Sequence, residues 1–65
     1  MRVIETPVPI EELEEIREKE GVKVELVLLK KIERNGIPLN RVLILGICEE
    51  IERFMELLRR SRAGG

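Results

Sequence analysis

The clearest pattern in the chain is an alternation of apolar and polar residues between positions 22 and 33. Alternation at every second position is the period of a β-strand, so it predicts a strand over residues 22–33. Val27 and Leu29 then lie on one face, and the other face carries Val22, Val24, Leu26, Leu28 and Ile32. Residues 2–5 and 41–47 are shorter runs rich in β-branched and other apolar side chains, and they predict two further strands. Lys30 falls on the otherwise apolar phase, and we therefore expect a β-bulge or the edge of the core beside it.

Two other segments carry the spacing of an amphipathic helix. Residues 10–20 have a thin apolar stripe that begins after Pro9, a residue suited to the first helical position, and they stop at Gly21, a residue suited to a left-handed cap. Residues 48–61 follow the second helical pattern, with glutamates at the start and arginines at the end, an order that complements the helix dipole. The apolar stripe of this second helix comprises Ile47, Ile51, Phe54, Met55, Leu57 and Leu58.

The connection between the second and third strands covers residues 34–40. Asn35-Gly36 is a strong turn signal, and Pro38 is expected to lie outside the strand ladder because proline has no backbone donor. The element order is then β-α-β-β-α, and a right-handed crossover makes the first two strands parallel with both helices on one face. We expect a single α+β domain over residues 1–62, a ferredoxin-like or ACT-like split β-α-β arrangement lacking its last strand, and a disordered tail over residues 63–65.

The predicted three-stranded sheet carries more apolar surface than one small core can cover. A 65-residue chain buries only about 60% of the surface that its unfolded form exposes, and it commonly needs a disulfide, a metal or oligomerisation for stability. One cysteine and no histidine leave oligomerisation, and we expect no metal or cofactor. One phase of the strands should meet Leu13, Ile16 and the second helix in the core, and the opposite phase should form a homodimer interface comprising Val27, Leu29, Leu43 and Leu45.

Charged residues make up 38% of the chain, with 12 basic and 13 acidic side chains, and every acid is glutamate. This composition, with only two asparagines and no glutamine, is typical of proteins from hyperthermophiles. No segment approaches the roughly 20 apolar residues of a membrane span, and the first residues lack the apolar core of a signal peptide. A lone thiol also fits a reducing compartment, so we expect a cytoplasmic protein.

Cys48 is the only candidate nucleophile. At the start of the second helix, amide donors and the helix dipole would favour its reactive thiolate, but Glu49 and Glu50 act in the opposite direction. The chain has no histidine to serve as a base. The alternative is a small residue packed between helix and sheet, and we adopt that interpretation. We therefore expect no catalysis by this chain.

Basic side chains provide an alternative function, nucleic-acid binding. Residues 22–47 carry a net charge of +3, and the end of the second helix adds arginines. The whole chain is nevertheless at −1, and the single aromatic residue, Phe54, belongs to the core stripe, so no platform exists for base stacking. The candidate contacts are Lys30, Lys31, Arg34, Arg41, Arg59 and Arg60.

One stretch resembles a known family. It comprises residues 34–39 (Arg-Asn-Gly-Ile-Pro-Leu), residues 42–44 (Val-Leu-Ile), Glu49-Glu50 and residues 54–58, and it is similar to the strand, turn, strand and helix of Phd-type antitoxins. The likeness covers under half of the chain, and Asn40-Arg41 interrupts the usual continuation. It implies an antitoxin-like repressor. The element order also resembles ACT-like regulatory modules, which pair into shared sheets. We expect an interaction or regulatory module that assembles with itself or with another protein.

Overall fold

The computed structural model describes residues 1–62, and the expected tail over residues 63–65 lies outside them. The elements are β1 (Arg2–Thr6), α1 (Ile10–Glu20), β2 (Glu25–Arg34), β3 (Ile37–Leu45) and α2 (Cys48–Arg62). β3 lies at the centre of a three-stranded sheet, and it pairs antiparallel with β1 on one side and β2 on the other. β1 and β2 therefore run in the same direction without touching. The expected α+β organisation, with three strands and two helices, is confirmed.

The core lies between the two helices and one face of the sheet, which we call the inner face. Val42 and Ile44 of β3 have no exposed surface, and they lie in one apolar cluster with Leu13 and Phe54. Ile51 and Leu58 complete the predicted helix contribution, while three further predicted residues are partly buried against the cluster: Ile16, Met55 and Leu57. The prediction for Ile47 is wrong, because this residue precedes α2 and its side chain is 63% exposed.

Both ends of α1 follow from local backbone chemistry. Gly21 adopts the left-handed conformation at φ 66°, and its N–H and that of Val22 donate to the carbonyls of Glu18 and Arg17. These bonds satisfy acceptors that the end of a helix leaves free. At the other end, Pro9 is extended and precedes the helix, rather than forming its first residue as expected.

The β2–β3 hairpin is tighter than the sequence pattern indicated. Asn35 and Gly36 both have positive φ, at 53° and 78°, and they alone form the loop. The prediction that Pro38 lies outside the ladder is wrong, since it lies in β3 opposite Glu33. The two residues that flank a two-residue loop, here Arg34 and Ile37, form a hydrogen-bonded pair. The next residue, Pro38, therefore directs its backbone nitrogen away from β2. Pairing with β1 ends at Asn40, and no ladder bond is lost at Pro38.

The predicted start of the second strand is also wrong. Val22 and Val24 are buried in the core, yet β2 begins only at Glu25. The intervening Lys23 donates its N–H to the carboxylate of Glu50 in α2, at 2.8 Å, instead of joining the ladder. The alternation predicted the burial of these two valines correctly but not their strand pairing. An extended segment that packs on a core has the same side-chain period as a paired strand.

A β-bulge lies in β2 between Leu28 and Lys30, which is one of the two alternatives that the misplaced lysine predicted. The extra residue shifts the side-chain phase by one position. Ile32, which the alternation placed with Val22 and Val24, consequently lies opposite Leu39 and away from the helices. That part of the alternation prediction is wrong, and the apolar surface opposite the core is larger than the sequence indicated.

Candidate interaction surface

The outer face is the side of the sheet that faces away from both helices. Val42 and Ile44 are buried under the helices, so the residues between and beside them in β3 lie on the outer face. Leu43 is at its centre, with Val3 of β1 opposite it on one side and Val27 of β2 opposite it on the other. These three residues form an apolar row, Val3–Leu43–Val27, that crosses the whole sheet.

The apolar row lacks cover from the rest of residues 1–62. Val3 is 52% exposed and Val27 is 36% exposed, whereas Leu43 is half-buried between its neighbours in the sheet. None of the three belongs to the core or to the side chains packed against it. An apolar stripe that persists across every strand of a sheet is typical of a surface that binds another molecule.

The four interface residues predicted from the sequence occupy this region. Val27, Leu43 and Leu45 lie on the outer face, while Leu29 is the extra residue of the bulge and is 48% exposed. Sequence reasoning did not assign Val3 to the face, because the facing direction of a five-residue strand depends on its pairing with β3. It also missed two half-buried residues beyond the bulge: Ile32 and Leu39.

A three-residue charge cluster borders the apolar row toward the hairpin. Arg34 and Arg41 each bind one carboxylate oxygen of Glu5, at 2.9 Å and 2.8 Å. The hydrogen bond from Arg41 lowers the pKa of Glu5, and the positive charge of Arg34 lowers it further. Glu5 is only 25% exposed at its side chain and therefore stays ionised beside the apolar row.

Two further charges lie on the outer face at equal distances from the apolar row. Glu25 is opposite Leu45, and Lys30 is opposite Arg41. Leu45 and Arg41 are each two residues from Leu43 along β3, so the two levels lie about 7 Å on either side of the row. Both Glu25 and Lys30 are exposed, and neither makes an ion pair with another residue in the range 1–62.

The six basic residues proposed for nucleic-acid contact do not share one surface. Lys30, Arg34 and Arg41 lie on the outer face, but both arginines bind Glu5. Lys31 is opposite Asn40, in the phase of the inner face. The other two, Arg59 and Arg60, belong to α2, where each lies 3.7 Å from the carboxylate of Glu56.

Cys48 is exposed at the start of α2, so the expectation that it packs between helix and sheet is wrong. The chain leaves the sheet at Gly46, and Cys48 comes before the first helical residue that reaches the core, Ile51. Within residues 1–62, no three histidine, cysteine, aspartate or glutamate side chains are grouped as a metal site. Neither helix in that range has the length and apolar character needed to cross a membrane.

The fold and this surface define a small α+β protein whose sheet has one face covered by helices and one open apolar face. A protein-family model described as "Uncharacterised protein" matches residues 1–65, and the chain belongs to that family. No curated protein and no solved structure matches the chain.

Proposed function

We propose that the protein is a homo-oligomeric interaction module, a dimer in its simplest form, that assembles through the outer face and has no catalytic activity of its own. The observation that carries this proposal is the exposed apolar row Val3–Leu43–Val27. Packing this row against another sheet removes it from water, and burial contributes about 25 cal/mol for each Å² of apolar surface. A chain of this size benefits directly, since its own core is small.

A second copy of the chain is the partner that best fits a row of this kind. Most soluble oligomers are symmetric, and a two-fold dimer brings the same patch of both subunits together. An apolar row is complementary to itself, and two sheets pack face to face when their inward side chains interdigitate. A different protein with an apolar sheet face is an alternative partner, and it would leave the isolated chain monomeric.

We infer that the architecture is a ferredoxin-like or ACT-like split β-α-β unit without its last strand. The order β1-β3-β2, with α1 joining the two outer strands that run in the same direction, supports this assignment. The absent fourth strand leaves β1 at an open edge of the sheet. Because the single cysteine, Cys48, is a free thiol, we propose that this assembly forms in the reducing cytoplasm.

The test replaces one apolar residue of the proposed interface with a charged residue. Val27→Glu and Leu29→Glu should each convert the dimer to a folded monomer, because a buried unpaired carboxylate opposes sheet packing. Sedimentation velocity at micromolar concentration measures the association, and far-UV circular dichroism reports folding.

The matched control is Ile47→Glu, which introduces the same charge at an exposed apolar residue outside the sheet. This variant should sediment as the wild-type protein does. If the wild-type chain is a monomer, or if both sheet variants remain dimeric, the proposed interface is wrong.

Nucleic-acid binding is the second candidate. Three basic residues lie together on the outer face near the hairpin, Lys30, Arg34 and Arg41, and the Phd-like stretch includes this hairpin. Glu5 neutralises part of their charge, however, and affinity for the phosphate backbone of a nucleic acid depends on net positive charge. A gel shift with duplex DNA that weakens as salt is raised would support this function, and no shift at low salt would exclude it.

A further inference from the structure

We propose that the two subunits are related by a two-fold axis that runs across the strands along the row Val3–Leu43–Val27, so that Glu25 of each subunit pairs with Lys30 of the other. This inference rests on the proposed dimer and specifies its orientation. The bulge in β2 then acts as the device that brings Lys30 into position.

The symmetry argument starts from the levels of the two charges. Glu25 and Lys30 both belong to β2, and they lie on opposite sides of the row. Each is displaced from the row by about 7 Å along the strand direction. A two-fold axis along the row exchanges these levels while keeping each strand above its own copy. Glu25 consequently faces the partner's Lys30, and Lys30 faces the partner's Glu25, which gives two equivalent ion pairs.

The bulge is required for this match. If regular pairing continued past Leu28, Leu29 would lie opposite Arg41, and Lys30 would lie opposite Asn40 on the inner face. The register shift between Leu28 and Lys30 places the lysine on the outer face instead. Bulges commonly re-aim a side chain at a functional position, and here the re-aimed group is a charge at the margin of an apolar surface.

The alternative axis, parallel to the strands, is disfavoured by charge. It would superpose β3 on the partner's β3 and place Arg41 against the same residue of the partner. It would also direct Lys30 toward the partner's Glu5, whose negative charge is already outweighed by the two arginines bound to it. The axis across the strands places Arg41 over the partner's Leu45, which the aliphatic part of the arginine side chain covers.

Charge at the margin of an interface sets orientation more than affinity. Glu25 and Lys30 are exposed, and within the described residues 1–62 they have no other ionic partner. Aligned sheets cross at about 30°, and the long side chains of glutamate and lysine accommodate that rotation.

The experiment is a charge exchange. Glu25→Lys and Lys30→Glu each create two like-charge contacts per homodimer, and each should raise the dimer Kd roughly three- to tenfold at low salt. Mixing equal amounts of the two variants restores both ion pairs in the heterodimer. Heterodimers should therefore make up more than half of all dimers, which is the fraction that random pairing gives. The double variant E25K/K30E should return to the wild-type Kd. Sedimentation equilibrium gives the Kd, and native mass spectrometry with one variant labelled with ¹⁵N gives the heterodimer fraction.

The matched control is E25K/K31E, which makes the same charge exchange but uses the neighbouring lysine in the inner-face phase. Its dimer Kd should stay as high as that of Glu25→Lys alone. This orientation would be overturned if heterodimers formed only at the random fraction and E25K/K30E did not recover the wild-type Kd, while the wild-type protein remained a dimer. A monomeric wild-type protein would instead overturn the proposed function, so the two failures are distinguishable.

Discussion

At the scale of single residues, Glu5 is the most constrained charge on the outer face. Its Oε2 accepts hydrogen bonds from Nε and Nη2 of Arg41 at 3.1 Å and 2.8 Å, and its Oε1 binds Arg34. Local sequence could not show this cluster, since its members come from three different strands. Each residue alone is an ordinary surface charge in a chain that is 38% charged.

The lowered pKa of Glu5 predicts a pH dependence of stability. A carboxylate whose pKa is lower in the folded state stabilises the fold above its unfolded pKa, about 4.3, and the contribution is lost as pH falls through the folded value. Glu5→Gln should therefore be less stable than wild type at pH 7, and the difference should vanish in strong acid. Urea unfolding between pH 7 and pH 2 at one protein concentration measures it.

Glu33→Gln is the control for the Glu5 experiment, since it removes one acid from the same sheet where no ion pair is seen among residues 1–62. Its difference from wild type should be smaller at pH 7. If the difference in free energy of unfolding between Glu5→Gln and wild type were the same at every pH, the argument would be contradicted.

At the scale of elements, the two-residue turn sets the register of the longest strand pair. Asn35 and Gly36 in left-handed conformations twist the hairpin in the sense that the sheet requires. This register places Lys30 opposite Arg41 once the bulge is included. The turn and the bulge together therefore decide which side chains reach the outer face.

Gly36→Ala should destabilise the protein by about 1 kcal/mol, because a side chain disfavours φ near +78°. Open space surrounds the position, so the cost comes from backbone conformation rather than from a clash. For a domain of this size the change corresponds to a melting temperature lower by about 4–8 °C. Differential scanning calorimetry measures this.

Gly36→Asn provides the comparison, since asparagine tolerates the left-handed region better than alanine. It should keep most of the wild-type stability. Equal losses in both variants would show that the turn conformation does not limit stability.

At the scale of the whole molecule, folding and association should be coupled. If the outer face is buried only in the dimer, raising the protein concentration tenfold stabilises the folded dimer by about 1.4 kcal/mol through mass action. The melting temperature should then rise by several degrees per decade of concentration. The Val27→Glu monomer should melt at a temperature independent of concentration, and the same independence in wild type would argue against coupling.

The sequence by itself determined the local features of this protein. The spacing of hydrophobic residues identified five elements in the correct order. The polar break at Lys30 indicated a bulge or the edge of the core, and the structure has the bulge. Gly21 correctly marked the end of α1, and the helical stripe identified Phe54 and Leu58 as core residues. These features depend on neighbours within one or two turns of chain, where side-chain spacing and backbone preference act directly.

Tertiary structure decided which surface each strand residue reached. Pairing with β3 placed Val3 on the outer face, and the bulge moved Ile32 there against the alternation. Pro38 entered the ladder because β1 ends before reaching it, and Cys48 stayed exposed because α2 reaches the core only later. In each case the outcome depends on a partner strand or helix distant in sequence, and its position is fixed only when the whole fold forms.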